Sequence, residues 1–159
     1  MASSFLTPAG DHRYLEDFSV GQRFTTAEAT LTHEECLAFA ERYDPQPFHL
    51  DDEAAKRTLF KRLSASAWLT MAVAMRLIVE SGFLRHSGIV GAAVDEVRFL
   101  APVYPGDTLR VESEIVELLP ALPGKRFGRI RVRNRVLNQD GVCVISYIPN
   151  LTVPMRPDG

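Results

Sequence analysis

The sequence predicts an α+β fold in which a curled antiparallel sheet packs around one long apolar helix. Residues 64–80 are apolar on every side, which is typical of a helix that protein covers on all faces. Beyond residue 89, apolar and polar residues alternate with the period of a strand in four segments. Only short turns separate these segments, and short connections make neighbouring strands antiparallel. One buried helix followed by such strands is an α+β arrangement.

A first helix is predicted to begin at Thr32, because Thr32 and Glu35 have the spacing of a capping box. Apolar residues then recur at i, i+3, i+4 and i+7 on one face: Cys36, Phe39, Ala40 and Tyr43. Pro45 and Pro47 end this helix, since proline lacks an N–H group and disfavours helical geometry in the preceding residue. A second, short helix is predicted around Asp51–Leu59.

The long helix is predicted over Ser64–Glu80, with Ser64 or Ser66 as its cap and Gly82 at its end. Its Trp68 is expected to lie in the core. The strands are predicted at Arg23–Leu31, Ile89–Val103, Thr108–Leu118, Phe127–Leu137 and Val142–Val153.

Length and composition indicate one globular domain. The chain has 159 residues, 46% hydrophobic and 24% charged, so we expect a tail over residues 1–13 and a single domain over residues 14–159. The net charge of −2 argues against a general nucleic-acid-binding protein. Cys36 and Cys143 form neither a disulfide framework nor a zinc motif. The sequence has no recognisable secretory signal, and its longest apolar run, Ala65–Val79, is too short to cross a bilayer, so a cytoplasmic protein is expected.

Asp44 and His49 are the first candidate catalytic residues. They lie five residues apart in a segment that Pro45 and Pro47 stiffen. Histidine can take or release a proton near neutral pH, and proton transfer requires a rigidly held acid and base. The same spacing also occurs where the aspartate forms a turn and the histidine is only hydrogen-bonded, so both interpretations stay open at this point.

The second candidate site is the start of the long helix, Ser64-Ala65-Ser66-Ala67-Trp68. The first backbone N–H groups of a helix have no partner within the helix and lie at the positive end of its dipole. Aimed at a carbonyl oxygen, they stabilise negative charge that develops there during a reaction. An ordinary N-cap is the alternative interpretation.

Together these segments resemble the MaoC-like dehydratases, a family that includes the (R)-specific enoyl-CoA hydratases. Four segments, in order over residues 14–153, carry the resemblance. They are Tyr14-Leu15-Glu16-Asp17-Phe18-Ser19-Val20-Gly21, Asp44-Pro45-Gln46-Pro47-Phe48-His49-Leu50-Asp51, Ala65-Ser66-Ala67-Trp68 and Val97-Arg98-Phe99-Leu100-Ala101-Pro102-Val103-Tyr104-Pro105-Gly106-Asp107-Thr108-Leu109.

The resemblance implies the hotdog fold and the reversible hydration of a trans-2-enoyl thioester to a 3-hydroxyacyl thioester. Asp44 and His49 would hold a water between them, one taking its proton and the other delivering a proton to the α-carbon. The N–H of Ala67 would bind the thioester oxygen, and Ser66 and Gln46 would contact the substrate. The implied substrate is an acyl-CoA or an acyl carrier protein thioester, with no metal and no cofactor besides the coenzyme A of the substrate. The implied assembly is a homodimer or a dimer of dimers, with no nucleic-acid or membrane partner.

Three differences from the family pattern keep two alternatives open. Tyr43 stands where the family usually has Gly, Gln46 where it has Asn, and Ala67 where it has Gly. These differences favour a non-catalytic acyl-CoA-binding protein as one alternative. The other is a hotdog thioesterase, although the long helix offers no carboxylate near its start.

Four arginines alternate along one predicted strand and share one face: Arg129, Arg131, Arg133 and Arg135. Two interpretations are open for them. They bind the phosphates of coenzyme A, or antiparallel pairing sets Glu112 and Glu114 opposite Arg129, Arg131 or Arg133 and gives cross-strand ion pairs.

Overall fold

The computed structural model describes residues 12–84 and 89–157. Its helices are α1 (His33–Tyr43), α2 (Pro47–Leu50), α3 (Asp52–Lys56) and α4 (Ala67–Glu80), with a 3-10 turn at Leu15–Asp17. Its strands are β1 (Arg23–Thr25), β2 (Ala29–Thr30), β3 (Val90–Phe99), β4 (Thr108–Leu119), β5 (Phe127–Leu137) and β6 (Cys143–Pro154). Within these described ranges, no helix is long and apolar enough to cross a membrane. Residues 1–11 of the predicted tail lie outside the described residues, so the boundary between tail and domain stays a prediction.

The strands form an antiparallel sheet in the order β1-β4-β5-β6-β3, and β2 pairs with the start of β4. One face of the sheet is apolar because alternate residues of β4 and β5 are buried, among them the register partners Val111 and Val136. Leu69, Val73 and Leu77 of α4 belong to the same core as this face. The predicted α+β arrangement of one helix on an antiparallel sheet is confirmed.

The first predicted strand is interrupted, and the interruption separates β1 from β2. The N–H of Thr26 donates to the carbonyl of Val111, and the hydroxyl of Thr26 accepts from the N–H of Val111, each at 3.0 Å. A side chain therefore replaces a backbone carbonyl in the ladder.

The next strand, β3, also ends earlier than predicted, at Phe99. Beyond it, the carbonyl of Val103 accepts from the N–H of Ala65 at 2.8 Å instead of pairing within the sheet.

The helix caps agree with the sequence. The Thr32 hydroxyl accepts from the N–H of Glu35 at 3.1 Å, and the Glu35 carboxylate accepts from the N–H of Thr32 at 2.9 Å. These two hydrogen bonds complete the predicted capping box. At α4, Ser66 is the cap and Ser64 is not, since the Ser66 hydroxyl accepts from the N–H of Trp68 at 3.2 Å.

For the segment after α1 the sequence predicts a loop followed by one short helix, whereas the structure has two short helices, α2 and α3. Pro47 begins α2, because a proline at the first helical position needs no partner for a missing N–H. Asp51 caps α3 by accepting from the N–H of Ala54 at 2.7 Å, and α3 already ends at Lys56. His49 consequently lies on a helical turn rather than in a loop.

One face of α4 is left open by the rest of the described chain. On this face Trp68 is 59% exposed, Met75 50% and Val79 60%. β3 lies at the edge of the sheet, and all of its residues are exposed, including Val94 and Phe99. The described part of a single chain therefore lacks the cover that the sequence predicts for every side of this helix. The expectation that Trp68 is a core residue is wrong.

Candidate active site

His49 is oriented by the backbone that leads into α4. Its side chain is buried, and its Nδ1 lies 2.7 Å from the carbonyl oxygen of Ser64. Because a carbonyl oxygen only accepts hydrogen bonds, Nδ1 carries the hydrogen. The second ring nitrogen, Nε2, faces Oδ2 of Asp44 at 3.3 Å. Nε2 is therefore the ring atom that is available for proton exchange.

Both carboxylate oxygens of Asp44 accept hydrogen bonds. Nε2 of Gln46 donates to Oδ1, and the hydroxyl of Ser66 donates to Oδ2, each at 2.7 Å. Burial by itself would raise the pKa of Asp44, but the hydrogen bonds from Ser66 and Gln46, together with the charge of His49, hold this pKa below its ordinary value. Asp44 is therefore a carboxylate at neutral pH.

The first N–H group of α4 is available to a ligand. The N–H of Trp68 donates to the Ser66 hydroxyl at 3.2 Å, and the N–H of Thr70 donates to the Ser66 carbonyl at 3.1 Å. In the described part of the chain, no acceptor contacts the N–H of Ala67, and Ala67 lines a cavity. Since this end of the helix carries the positive end of the dipole, the group is suited to hold an oxygen that gains negative charge.

The cavity has a volume of about 470 Å³ and brings these groups together, with Asp44, His49 and Ala67 on its wall. The rest of the wall is mainly apolar and includes Phe48, Phe60, Trp68, Phe99, Val103 and Ile145. Among the described residues, no lysine or arginine lines it. The site thus places a carboxylate, an imidazole and a free N–H group beside a space that fits an apolar group.

The sequence profile of the MaoC like domain matches residues 17–135, a range that contains Asp44, His49 and Ala67. The chain belongs to the MaoC-like family. The crystal structure of a MaoC-like dehydratase from Rhodospirillum rubrum is 39% identical, covers 92% of this chain and 99% of that chain, and has a TM-score of 0.86. The R-hydratase PhaJ1 from Pseudomonas aeruginosa is 29% identical, covers 90% of this chain and 86% of that chain, and has a TM-score of 0.70. The predicted family and its hotdog fold are confirmed.

A further relative of the MaoC-like chain matches over a shorter range. Mesaconyl-CoA hydratase from Cereibacter sphaeroides is 49% identical over 61 residues, which are 38% of this chain and 18% of that protein. All three relatives are named hydratases or dehydratases.

The fold of this MaoC-like protein brings together all five residues that the sequence identified as candidates. Asp44, His49, Gln46 and Ala67 line the cavity. Ser66 is 0% exposed and its hydroxyl contacts Asp44, so its described contacts position the carboxylate. Substrate contact by Ser66 and Gln46 stays a prediction, as do the roles of the other three residues.

Most of the residues that line the cavity were not among the candidates identified from the sequence. Trp68 meets Phe99 edge to face, with 5.8 Å between the ring centroids, although they lie on α4 and β3. Leu59 and Phe60 line the cavity from a segment that the sequence assigns to the end of a short helix. Trp68 and Phe99 lie in segments that carry the family resemblance, but Leu59 and Phe60 do not, and no periodic pattern groups the four.

Two of the four arginines on β5 pair with carboxylates across the sheet. Arg131 lies 3.1 Å from Glu117, and Arg135 lies 3.5 Å from Glu112. None of the four arginines lines the cavity of this MaoC-like chain. Cross-strand ion pairing therefore occurs on this face, but with other partners than expected, since Glu112 pairs with Arg135 and Arg131 pairs with Glu117.

Proposed function

We propose that this protein is a hydro-lyase that reversibly hydrates a trans-2-enoyl thioester to a 3-hydroxyacyl thioester. The observation that carries the proposal is the placement of ionised Asp44 and of His49, with Nε2 available, on the same cavity wall as the N–H of Ala67. Membership of the MaoC-like family supports it further. Acid–base chemistry and charge stabilisation suffice for this reaction, so no metal or redox cofactor is proposed.

The reacting water is proposed to contact both Oδ2 of Asp44 and Nε2 of His49. Asp44 accepts a hydrogen bond from one O–H group of the water and so orients it. Nε2 of His49 takes the proton of the other O–H group as the oxygen attacks the β-carbon. The hydrogen bonds to Asp44 lower its pKa and favour its ionised form, which suits this carboxylate to orient the water rather than to take its proton. We therefore assign the transferred proton to His49, with its Nδ1–H held on the Ser64 carbonyl.

The N–H of Ala67 is proposed to stabilise the charge that follows this attack. As the carbon–oxygen bond forms, the electrons of the carbon–carbon double bond move toward the thioester carbonyl and give an enolate. The Ala67 N–H donates to the enolate oxygen. The imidazolium of His49 then delivers its Nε2 proton to the α-carbon, which completes the addition of H and OH and restores the neutral ring.

The acyl group of the substrate is proposed to be apolar and uncharged. Aromatic side chains of Phe48, Phe60 and Phe99 line the cavity, and its described wall offers no cation to a second carboxylate. Burying an unpaired carboxylate there would cost free energy, whereas burying methylene groups is favourable.

The proposed assembly is a homodimer, with a dimer of dimers as the larger form. The edge strand β3 exposes Val94 and Phe99, and α4 exposes Trp68 and Met75. The contact between Trp68 and Phe99 makes these two apolar surfaces continuous. Because both residues also line the cavity, a second copy on this face would close the open side of the site.

The proposed activity is tested with trans-2-enoyl-CoA esters of graded chain length and branching. We expect loss of the conjugated thioester absorbance without release of free thiol. An ester with a terminal carboxylate, matched in length to an apolar one, is expected to react more slowly.

Two results would contradict the hydratase proposal. Release of free thiol without hydration would assign a thioesterase. Binding of the esters without any turnover would assign a non-catalytic acyl-CoA-binding protein.

A further inference from the structure

The segment from residue 56 to residue 62, here called the rim segment, borders the mouth of the active-site cavity. Leu59 and Phe60 of this segment line the cavity, and Leu59 is 80% exposed, so the segment reaches from the cavity wall to solvent. Its sequence is Lys56-Arg57-Thr58-Leu59-Phe60-Lys61-Arg62, which contains four cations and no anion. The segment beside Leu59 and Phe60 of the cavity wall thus carries a cluster of positive charges.

The rim segment is held in place by contacts outside itself. The hydroxyl of Tyr104 donates to the carbonyl of Phe60 at 3.0 Å. The guanidinium of Arg62 lies 3.7 Å from the centre of the Tyr104 ring. Between these two contacts Lys61 has a φ of 64°, a left-handed conformation that lysine rarely adopts. Such a conformation persists only where neighbouring contacts fix it, and it is enriched where proteins bind ligands.

Most of the charge on the rim segment is not neutralised by the protein. Lys56 pairs with Glu53 and Asp52. Arg57 and Lys61 are exposed and have no carboxylate partner within the described part of the chain. Arg57 and Lys61 therefore differ from Arg131 and Arg135 on β5, which form ion pairs with carboxylates.

We propose that the rim segment binds the phosphate groups of coenzyme A through Arg57, Lys61 and Arg62, which makes coenzyme A the carrier of the substrate. This inference rests on the proposed function. A thioester held at Ala67 with its acyl group in the cavity needs an opening for its thiol arm. We place this opening beside Leu59, because Leu59 is the most exposed of the large apolar residues that line the cavity. Coenzyme A carries its phosphates at the far end of that arm, and arginine and lysine are the side chains that bind phosphate.

The test compares KM values for two substrates with the same acyl group, an enoyl-CoA and the enoyl-pantetheine that lacks the nucleotide phosphates. The variants are the double substitution Arg57→Ala/Lys61→Ala and the control Lys125→Ala, which removes an exposed lysine that does not line the cavity. We expect the double variant to raise KM for the CoA ester by about tenfold or more and to leave KM for the pantetheine ester unchanged. The difference in KM for the CoA ester between the double variant and the wild type is expected to shrink as salt is added.

Two results would overturn the inference while the hydratase proposal stands. One is an equal KM of the wild-type protein for both esters. The other is an acyl carrier protein thioester that is used at lower KM than the CoA ester, with the double variant affecting only that substrate.

Binding measurements keep the inference testable if no ester is hydrated. Titration calorimetry with butyryl-CoA and S-butyryl-pantetheine measures the contribution of the phosphates without turnover. Tighter binding of butyryl-CoA that the double variant abolishes would support the rim segment even if the proposed reaction fails. Equal affinity for both compounds would refute it.

Discussion

Ser66 and Asp44 are joined by a hydrogen bond of 2.7 Å between side chains that lie 22 positions apart in the sequence. The same Ser66 hydroxyl accepts from the N–H of Trp68 at the start of α4. One side chain therefore connects the helix that presents the Ala67 N–H to the carboxylate that faces His49. This connection sets the positions of the Asp44 carboxylate and the Ala67 N–H group relative to each other.

The acid–base pair is tested by replacing its members singly and together. Asp44→Asn and His49→Ala are each expected to lower turnover by at least ~10²-fold, the usual contribution of a positioned general acid or base. The double variant should be little worse than either single one, because both residues act on one water. Steady-state kinetics with the best enoyl-CoA measures this. Near-full activity of both single variants would show that the pair has only a structural role.

The oxyanion role of Ala67 can be tested by removing its N–H alone. Ala67→Pro deletes this hydrogen at the first position of a helix, where proline is well tolerated. Ser66 has φ −60° and ψ 135°, the extended geometry that suits a residue before proline. We expect kcat to fall by about 10²–10³-fold. Ala67→Val, which adds similar bulk and keeps the N–H, is the control, and equal losses in the two variants would attribute the effect to steric blocking.

Removing the Ser66 hydroxyl is expected to raise the pKa of Asp44. This hydrogen bond is one of the contacts that hold the pKa below its ordinary value. A carbon NMR titration of the Asp44 carboxyl group should show a higher pKa in Ser66→Ala than in the wild type. The control Thr32→Ala removes the cap of α1, and we expect it to cost about 1 kcal/mol in stability, as removal of the Ser66 cap does. It makes no contact with Asp44, so a matching pKa change in this control would contradict the assignment.

Asp44 should also make stability depend on acid pH. Its pKa is lower in the folded protein than in the unfolded chain, so its charge stabilises the fold above the unfolded value of about 3.9. This stabilisation is lost as the pH falls through the folded pKa. The difference in unfolding free energy between wild type and Asp44→Asn should therefore shift against the wild type as the pH falls from about 4 toward the folded pKa. Urea unfolding at several pH values measures it, and a constant difference would be inconsistent with a lowered pKa.

A charge on the open face of α4 should disrupt the proposed homodimer. Met75 is 50% exposed on that face, and Met75→Glu would place an unpaired carboxylate in the interface. Sedimentation at micromolar concentration should show a dimer for the wild type and a monomer with reduced turnover for this variant. Leu122→Glu alters a residue that is 70% exposed in the turn between β4 and β5, and it should remain dimeric. A fully active wild-type monomer would exclude the proposed assembly.

The sequence by itself determined the features that depend on near neighbours along the chain. The capping box of Thr32 and Glu35 needs only a spacing of three, and the alternation of β4 and β5 needs only a period of two. Asp44 and His49 were predictable as a pair, since a short segment bounded by prolines cannot hold them far apart.

Only the tertiary structure decided which distant residues meet. Ser66 lowers the pKa of Asp44, and Trp68 meets Phe99, through contacts between separate elements that no spacing in the sequence encodes. Trp68 illustrates the reason. Its apolar character predicts burial, but which side of α4 the sheet covers depends on how the whole chain packs. The rim segment is a second case, because its place beside the cavity depends on the contacts of Tyr104 with Phe60 and Arg62. These contacts join residues that are distant in the sequence.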